Sequence, residues 1–237
     1  MERRSRRVLQ QPPAVVKRWV RFKVVAWAPA VARKIFRWRS RLTRFRRKRA
    51  LEGAFNEVKN RAIRLENSPF RASFAIANLA LYILLAERDI ETLKVDALSH
   101  QDEWTRKLCA RVILLTIHEL HLDKVTGQTL RDAMEEIGAS DEARKEVAVA
   151  LREIRSVQEK VRKEFVAIRN SAITHRDPNA LLQYRSIRNL RVDRVFSVAA
   201  EFYAASDRFV GLVPKLMIQS SSPTGLLRQF LATEEQK

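Results

Sequence analysis

Glycine and proline are scarce in this chain of 237 residues, which contains five glycines and seven prolines. None of the glycines lies between residues 139 and 210. A β-sheet protein of this size needs many tight turns, and such turns draw heavily on these two residue types. Because 46% of the residues are hydrophobic, the chain can still bury a core. The composition therefore predicts an all-α fold.

Cysteine is almost missing, since Cys109 is the only one and cannot form a disulfide within the chain. It lies in the apolar stretch KLCARVILLTIHEL, where we expect a reduced, buried thiol that packs like a small hydrophobic side chain. A reduced thiol indicates an intracellular location. We predict a cytoplasmic protein, with peripheral membrane contact left open.

Long apolar runs and glycine-rich phosphate loops are also missing. The stretch from Ala72 to Ala86 has 15 uncharged residues, short of the roughly 18–20 that a spanning helix needs. Neither the dinucleotide-binding fingerprint nor the P-loop pattern occurs, which excludes most nucleotide-dependent enzymes. We therefore expect a buried helix in this stretch and no cofactor.

Acidic residues are nearly absent from residues 1–50, which hold 18 of the 46 lysines and arginines and one acid. The rest of the chain is almost balanced, with 28 basic and 26 acidic residues. The predicted organisation is a basic N-terminal helical extension (1–50), a helical bundle domain (51–220), and a C-terminal short helix with a tail (221–237). A segment this basic is expected to bind an anionic partner.

Three of the four tryptophans lie among the arginines of this N-terminal extension. Aromatic residues that alternate with arginines suit nucleic acid, because bases stack on the rings and arginines hold phosphates. They suit the surface of an anionic membrane equally, through residues 14–50. Packing of the aromatic residues onto the bundle and an organellar presequence also remain open. The candidate binding residues are Trp19, Trp27, Trp38, Arg37, Arg39, Arg41, Arg44, Arg46, Arg47, Lys48 and Arg49.

Apolar periodicity predicts helices in the remainder of the chain. We expect them at about 55–67, 70–88, 103–122 and 130–138, then from Ser140 to Asp177-Pro178, and over 189–209, with a short one near the C-terminus. Ser99 with Asp102, and Thr129 with Asp132, have the spacing of capping boxes, and Gly138 is suited to ending a helix. Four or five core helices joined by short connections predict an antiparallel helical bundle.

The helix that begins at Ser140 carries one long apolar stripe. Its members recur at spacings of three and four residues, with Gln158 as a polar interruption. They are Val147, Leu151, Ile154, Val161, Phe165, Ile168 and Ala172.

Two further patterns resemble catalytic or metal sites without meeting their requirements. In HELH the histidines, His118 and His121, are three residues apart, whereas the zinc-protease helix needs a spacing of four, and no third ligand is evident. Adjacent glutamates at 135–136 and 234–235 point to diverging helix faces. We predict cap or polar-face histidines, no metal site and no catalytic carboxylate pair.

The segment IRNSAITHRDPN, residues 168–179, combines residue types that can cleave RNA without a metal. Arg169 is a permanent cation whose planar donors suit phosphate, and a histidine such as His175 can exchange protons near neutrality. On one ideal helix these two residues would point about 120° apart and lie about 9 Å apart along the axis. Either the helix ends early, or a symmetric dimer completes the site.

The RN pair followed by histidine, then by RD, resembles the motif of HEPN domains, all-α four-helix bundles of which many are metal-independent ribonucleases. The resemblance covers about residues 55–215. It implies a homodimer in which facing motifs form one RNA-cleaving site. Arg169 would bind phosphate, His175 would act as general base or acid, and Asn170 would orient the histidine or the ribose.

Two functions follow as hypotheses. The first is a HEPN-type endoribonuclease, of a toxin or phage-defence kind, with RNA held by the basic N-terminal extension. The second is a non-catalytic HEPN-like dimerisation or scaffold module, anchored to a membrane or to nucleic acid by that extension.

Overall fold

A computed structural model of the protein describes residue 49, residues 51–168, residue 170 and residues 178–234, and no strand occurs among them. The α-helices of this part of the chain are α1 (51–65), α2 (Arg71–Ser99), α3 (Glu103–His118), α4 (Gln128–Glu136), α5 (Asp141–Glu164), α6 (Val166–Ile168), α7 (Ala180–Arg188), α8 (Val192–Ser220) and α9 (Pro223–Glu234). The prediction of an all-α bundle is confirmed.

The core lies between α2, α3, α5 and α8. Helix α8 contacts the other three, and α2 also contacts α3 and α4. Two ion pairs show that α5 and α8 are antiparallel: Lys160 pairs with Glu201 at 2.6 Å, whereas Glu153, earlier in α5, pairs with Arg208, later in α8. The side chains between these helices are fully buried and include Ile76, Ile83, Ile113, Ile154 and Phe202.

Helix α2 is longer than predicted, because it continues beyond Arg88 to Ser99. The added turns are rich in charged residues, so their hydrophobic positions do not stand out in the sequence. Ile90 and Ala97 are fully buried there, and the carboxylate side chains of Glu87 and Glu91 are buried as well. Burial on one side thus outweighs a charged composition.

The capping box predicted from Ser99 and Asp102 is wrong. Ser99 ends α2, and its hydroxyl donates to the carbonyl of Val95 at 2.9 Å. Asp102 is itself the N-cap of α3, with its carboxylate accepting from the Thr105 backbone amide at 2.7 Å. The hydrogen bond from the Thr105 hydroxyl lowers the pKa of Asp102 most, and the bond from the Thr105 backbone amide lowers it further.

The capping box predicted from Thr129 and Asp132 is also wrong, since α4 begins at Gln128 and Thr129 lies inside it. The residue before the helix is Gly127, whose φ of 76° is readily accessible only to glycine. At the other end Gly138 terminates α4 as predicted, with φ 69°. The amides of Gly138 and Ala139 donate to the carbonyls of Glu135 and Met134, which makes a Schellman motif.

Ser140 opens α5 as predicted, because its hydroxyl accepts from the Ala143 amide at 3.2 Å. The predicted apolar stripe is buried from Val147 to Ile168. Its polar interruption has a structural explanation, since the buried amide of Gln158 donates to the carbonyls of Ile117, at 3.2 Å, and Leu120. Gln158 therefore satisfies backbone oxygens where α3 ends.

The prediction that this helix continues to Asp177-Pro178 is wrong. Helix α5 ends at Glu164, and Phe165 leaves helical geometry with φ −115° and ψ 20°. The backbone thus turns at Phe165 although its ring remains buried in the core. Ala172 lies outside the described residues.

Helix α8 also exceeds its predicted range, running from Val192 to Ser220 through Pro214. Of its predicted inward residues, Val195, Ala199, Phe202 and Tyr203 are buried, and Val192 and Phe196 are half-buried. The predicted short C-terminal helix is α9. The buried side chain of Gln229 fixes α9 to the bundle by accepting from the Ser73 hydroxyl at 2.8 Å and donating to the Ser220 carbonyl at 3.0 Å.

Candidate active site and nucleic-acid interface

The RNA-cleavage motif lies mostly outside the described residues. Arg169 and His175 are not among them, whereas Asn170 is described and exposed. The 120° separation of the two side chains assumed a helix continuing through residue 176. Helix α5 ends at Glu164, ahead of the motif.

The structure describes the residues on either side of the motif. Ile168 is buried in the core, and Pro178 and Asn179 are exposed. Asn179 is the N-cap of α7, because its side-chain oxygen accepts from the Leu182 amide at 3.1 Å. Helix α6 contacts both α5 and α7. Helix α6, which ends just before the motif, therefore lies against α7, which begins just after it.

Only one of the predicted tail residues is described. Arg49 is exposed, two residues before the start of α1. The others lie outside the described residues: Trp19, Trp27, Trp38, Arg37, Arg39, Arg41, Arg44, Arg46, Arg47 and Lys48. In the part of the chain that is described, no helix combines the length and the apolar content that crossing a membrane requires.

A surface feature that sequence reasoning missed joins α3 to α7. The rings of Trp104 and Tyr184 lie nearly parallel, with centroids 6.3 Å apart and planes inclined by 19°. The guanidinium of Arg111 lies 5.9 Å from the centre of the Trp104 ring. Trp104 and Arg111 are seven residues apart and share a helix face, so the sequence could have indicated this contact. It was missed because the apolar residues of α3 predict a buried helix along its whole length.

Lys107 fastens α7 to the first turns of α3. Its ammonium group is nearly buried, donates to the carbonyl of Arg188 at the end of α7, and pairs with Glu103 at 2.7 Å. The bond to Lys107 also lowers the pKa of Glu103. A cation that neutralises a helix C-terminus is favourable. The two helices that carry Trp104 and Tyr184 are thus fastened to each other close to the aromatic pair.

The HELH stretch forms a compact polar cluster at the other end of α3. Glu119 bridges the two imidazoles, with one oxygen 2.7 Å from His118 Nδ1 and the other 3.1 Å from His121 Nε2. His118 is the last residue of α3, which agrees with the prediction of cap histidines. No group of three or more potential metal ligands occurs among the described residues.

This cluster predicts a pH-dependent contribution to stability. The hydrogen bond from His118 lowers the pKa of Glu119, so the carboxylate stabilises the fold above the ordinary glutamate pKa of about 4.3. That contribution is lost as pH falls through the lower folded-state value. We expect Glu119→Gln to reduce the urea-unfolding free energy at pH 7, and the difference from wild type to be smaller at pH 3. An equal difference at both pH values would contradict this.

Two further predictions concern isolated side chains. Cys109 is buried, as expected, and its burial, followed by the charge of the Asp96 carboxylate, raises the pKa of its thiol. Glu135 is exposed while Glu136 is half-buried, and burial followed by the charge of Asp132 raises the pKa of Glu136. The two carboxylates therefore occupy different environments.

Comparison with known proteins finds no family model, no curated protein and no solved structure that matches this chain. The HEPN resemblance accordingly rests on the residues of the motif alone.

Proposed function

We propose that the protein is a metal-independent endoribonuclease of HEPN type that acts as a homodimer in the cytoplasm. His175 takes the proton of a ribose 2′-hydroxyl, whose oxygen then forms a bond to phosphorus as the bond to the 5′-oxygen breaks. Arg169 stabilises the charge that builds on the phosphate oxygens, and Asn170 orients the histidine or the ribose. A histidine then donates a proton to the 5′-oxygen as it leaves.

The observation that supports this proposal best is the position of the motif. Phe165 and Ile168 anchor the chain in the core directly before it, and Asn170 is exposed directly after that anchor. A catalytic segment needs this combination, since its side chains must reach a polymer while a rigid scaffold holds their backbone.

The basic extension adds a reason to choose RNA as the substrate. Its 18 lysines and arginines against one acid would bind a polyanion through phosphate contacts and concentrate RNA near the bundle. On this proposal the residues from Trp19 to Arg49 contribute affinity, and the motif contributes chemistry.

The test is incubation of purified full-length protein with total RNA in the presence of EDTA. We expect cleavage that persists in EDTA and products that end in a 2′,3′-cyclic phosphate, the product of attack by the neighbouring hydroxyl. RNA that stays intact over hours, or cleavage that EDTA abolishes, would contradict the proposal.

The second candidate is a non-catalytic dimerisation or scaffold module, anchored by residues 14–50. It is favoured by an exposed apolar row on α9, formed by Leu227, Phe230 and Leu231 at helical spacing. If this row joins two copies, Phe230→Glu should convert a dimer to a monomer in sedimentation. Binding of the full chain to anionic vesicles, lost on deleting residues 1–50, would identify a membrane as the anchor; binding to RNA alone would exclude it.

A further inference from the structure

The aromatic pair between α3 and α7 is exposed to solvent. Trp104 is 46% exposed and Tyr184 is 47% exposed, although they are among the largest side chains available to a core. Scattered exposed hydrophobic residues are ordinary, but a contiguous patch on a monomer marks a binding surface. The ring stack at 6.3 Å shows that these two residues are contiguous.

Helical spacing extends the pair into a larger surface, which we call the Trp104/Tyr184 face. On α3 its members follow Trp104 at four and seven residues, and on α7 they lie at spacings of three and four. The apolar members are exposed, as are the α7 arginines. The face consists of Trp104, Leu108, Arg111, Leu181, Tyr184, Arg185 and Arg188.

The charge of this face is positive. The acidic residues at its border are already engaged, since Glu103 pairs with Lys107 at 2.7 Å and Asp193 pairs with Arg191 at 2.8 Å. Arg185 and Arg188 are exposed on α7, and the charge of Arg188 also acts on Glu103. A ligand of this face must therefore be anionic, and it must offer flat apolar groups to two aromatic rings.

Two candidate occupants within the protein itself fail on charge. Residues 1–50 carry one acid among 18 lysines and arginines, so the basic extension would be repelled by the arginines of α7. A second copy that docks through the same face about a two-fold axis would bring each set of arginines against itself. An external anionic partner meets neither obstacle.

We propose that the Trp104/Tyr184 face binds single-stranded RNA, with bases stacked on the two rings and phosphates held by Arg185 and Arg188. This inference rests on the proposed function in taking RNA as the ligand, and it adds where the strand lies. Because α7 begins just after the motif, at Ala180, a strand on this face passes beside the segment that contains Asn170.

The tryptophan content of the chain provides a direct test. Replacing Trp19, Trp27 and Trp38 with phenylalanine in the full-length protein leaves Trp104 as its only tryptophan. The probe is a 2′-O-methyl oligouridine of about twelve residues, which cannot be cleaved through its 2′-oxygen. We expect saturable quenching of Trp104 fluorescence by the oligouridine and none by heparin, a polyanion without bases.

Affinity measurements on single variants complete the test. Stacking of a base contributes about 1–3 kcal/mol, so Trp104→Ala should weaken binding by about 5- to 150-fold, and Trp104→Phe should restore most of it. Ile218→Ala, the loss of an exposed hydrophobic side chain on α8 outside this face, should leave the affinity unchanged. Arg188→Gln should lower the salt slope of binding by about 0.7, the value for one phosphate contact on a single strand.

Several outcomes would overturn the proposal. These are equal affinities of Trp104→Ala and wild type, equal quenching by heparin, or a dimer that Trp104→Ala dissociates without any change in RNA affinity. The proposed function fails independently. If the protein cleaves RNA but binds the oligouridine equally well without Trp104, only the proposed binding face is refuted. If it binds the oligouridine through Trp104 but does not cleave RNA, only the proposed ribonuclease activity is refuted.

Discussion

Replacing His175 with alanine is expected to slow RNA cleavage by about 10²- to 10⁴-fold, the range that one general acid or base contributes. Replacing Arg169 with alanine should cost about 10²- to 10³-fold, because a preorganised cation then no longer stabilises the charge on phosphorus. The two losses should not multiply in the double variant, since both residues serve the same step. Single-turnover cleavage of an end-labelled RNA in EDTA measures these effects.

The matched control is His121→Ala. His121 is half-buried at the C-terminal end of α3, in the Glu119 cluster, whereas α7 is fastened to the first turns of α3 through Lys107. Cleavage by this variant should equal that of wild type. Activity that survives in both His175→Ala and Arg169→Ala would point to a contaminating nuclease and would remove the motif from the mechanism.

Helix α5 illustrates what the sequence can predict. Its N-cap at Ser140, its first-turn acids and its apolar stripe are local features, and each occurs where the pattern placed it. Even Gln158, a polar residue in the stripe, was visible as an exception. What the sequence could not supply was its partner, because the carbonyl of Ile117 comes from another helix 41 residues away.

Other helix ends were mispredicted because tertiary packing decided them. Neither glycine nor proline marks the end of α5 at Glu164, where Phe165 keeps its ring in the core while its backbone leaves the helix. Helix α2 continues past Arg88 through a charged stretch because its opposite side remains buried. A pattern of residue types along one chain records neither effect.

The candidate site was predictable to a different degree. The motif stands out by residue type alone, since Arg169 and His175 need only be recognised. The Trp104/Tyr184 face could not be found in this way, because its halves are 80 residues apart and meet only through the packing of α7 on α3. The sequence assigned Trp104 to a buried helix, and the fold exposes it.

Helix α8 should dominate the stability of the bundle, because it contacts α2, α3, α5 and α9. Phe202 lies in its middle and is fully buried, with the ring of Tyr203 6.4 Å away. Removing a buried phenylalanine loses its transfer free energy and leaves a cavity, so Phe202→Ala should cost about 3–5 kcal/mol. That is a large part of the roughly 5–15 kcal/mol by which a domain is stable.

Urea unfolding followed by circular dichroism measures this loss as a lower midpoint with an unchanged m-value. Phe230→Ala removes the same atoms from an exposed position on α9 and should change the unfolding free energy by no more than about 0.5 kcal/mol. Phe196→Ala, at a half-buried position of the same helix as Phe202, should fall between the two. The predicted order of loss, Phe202 then Phe196 then Phe230, follows the burial of each ring. Equal losses for Phe202→Ala and Phe230→Ala would mean that α8 is not the centre of the core.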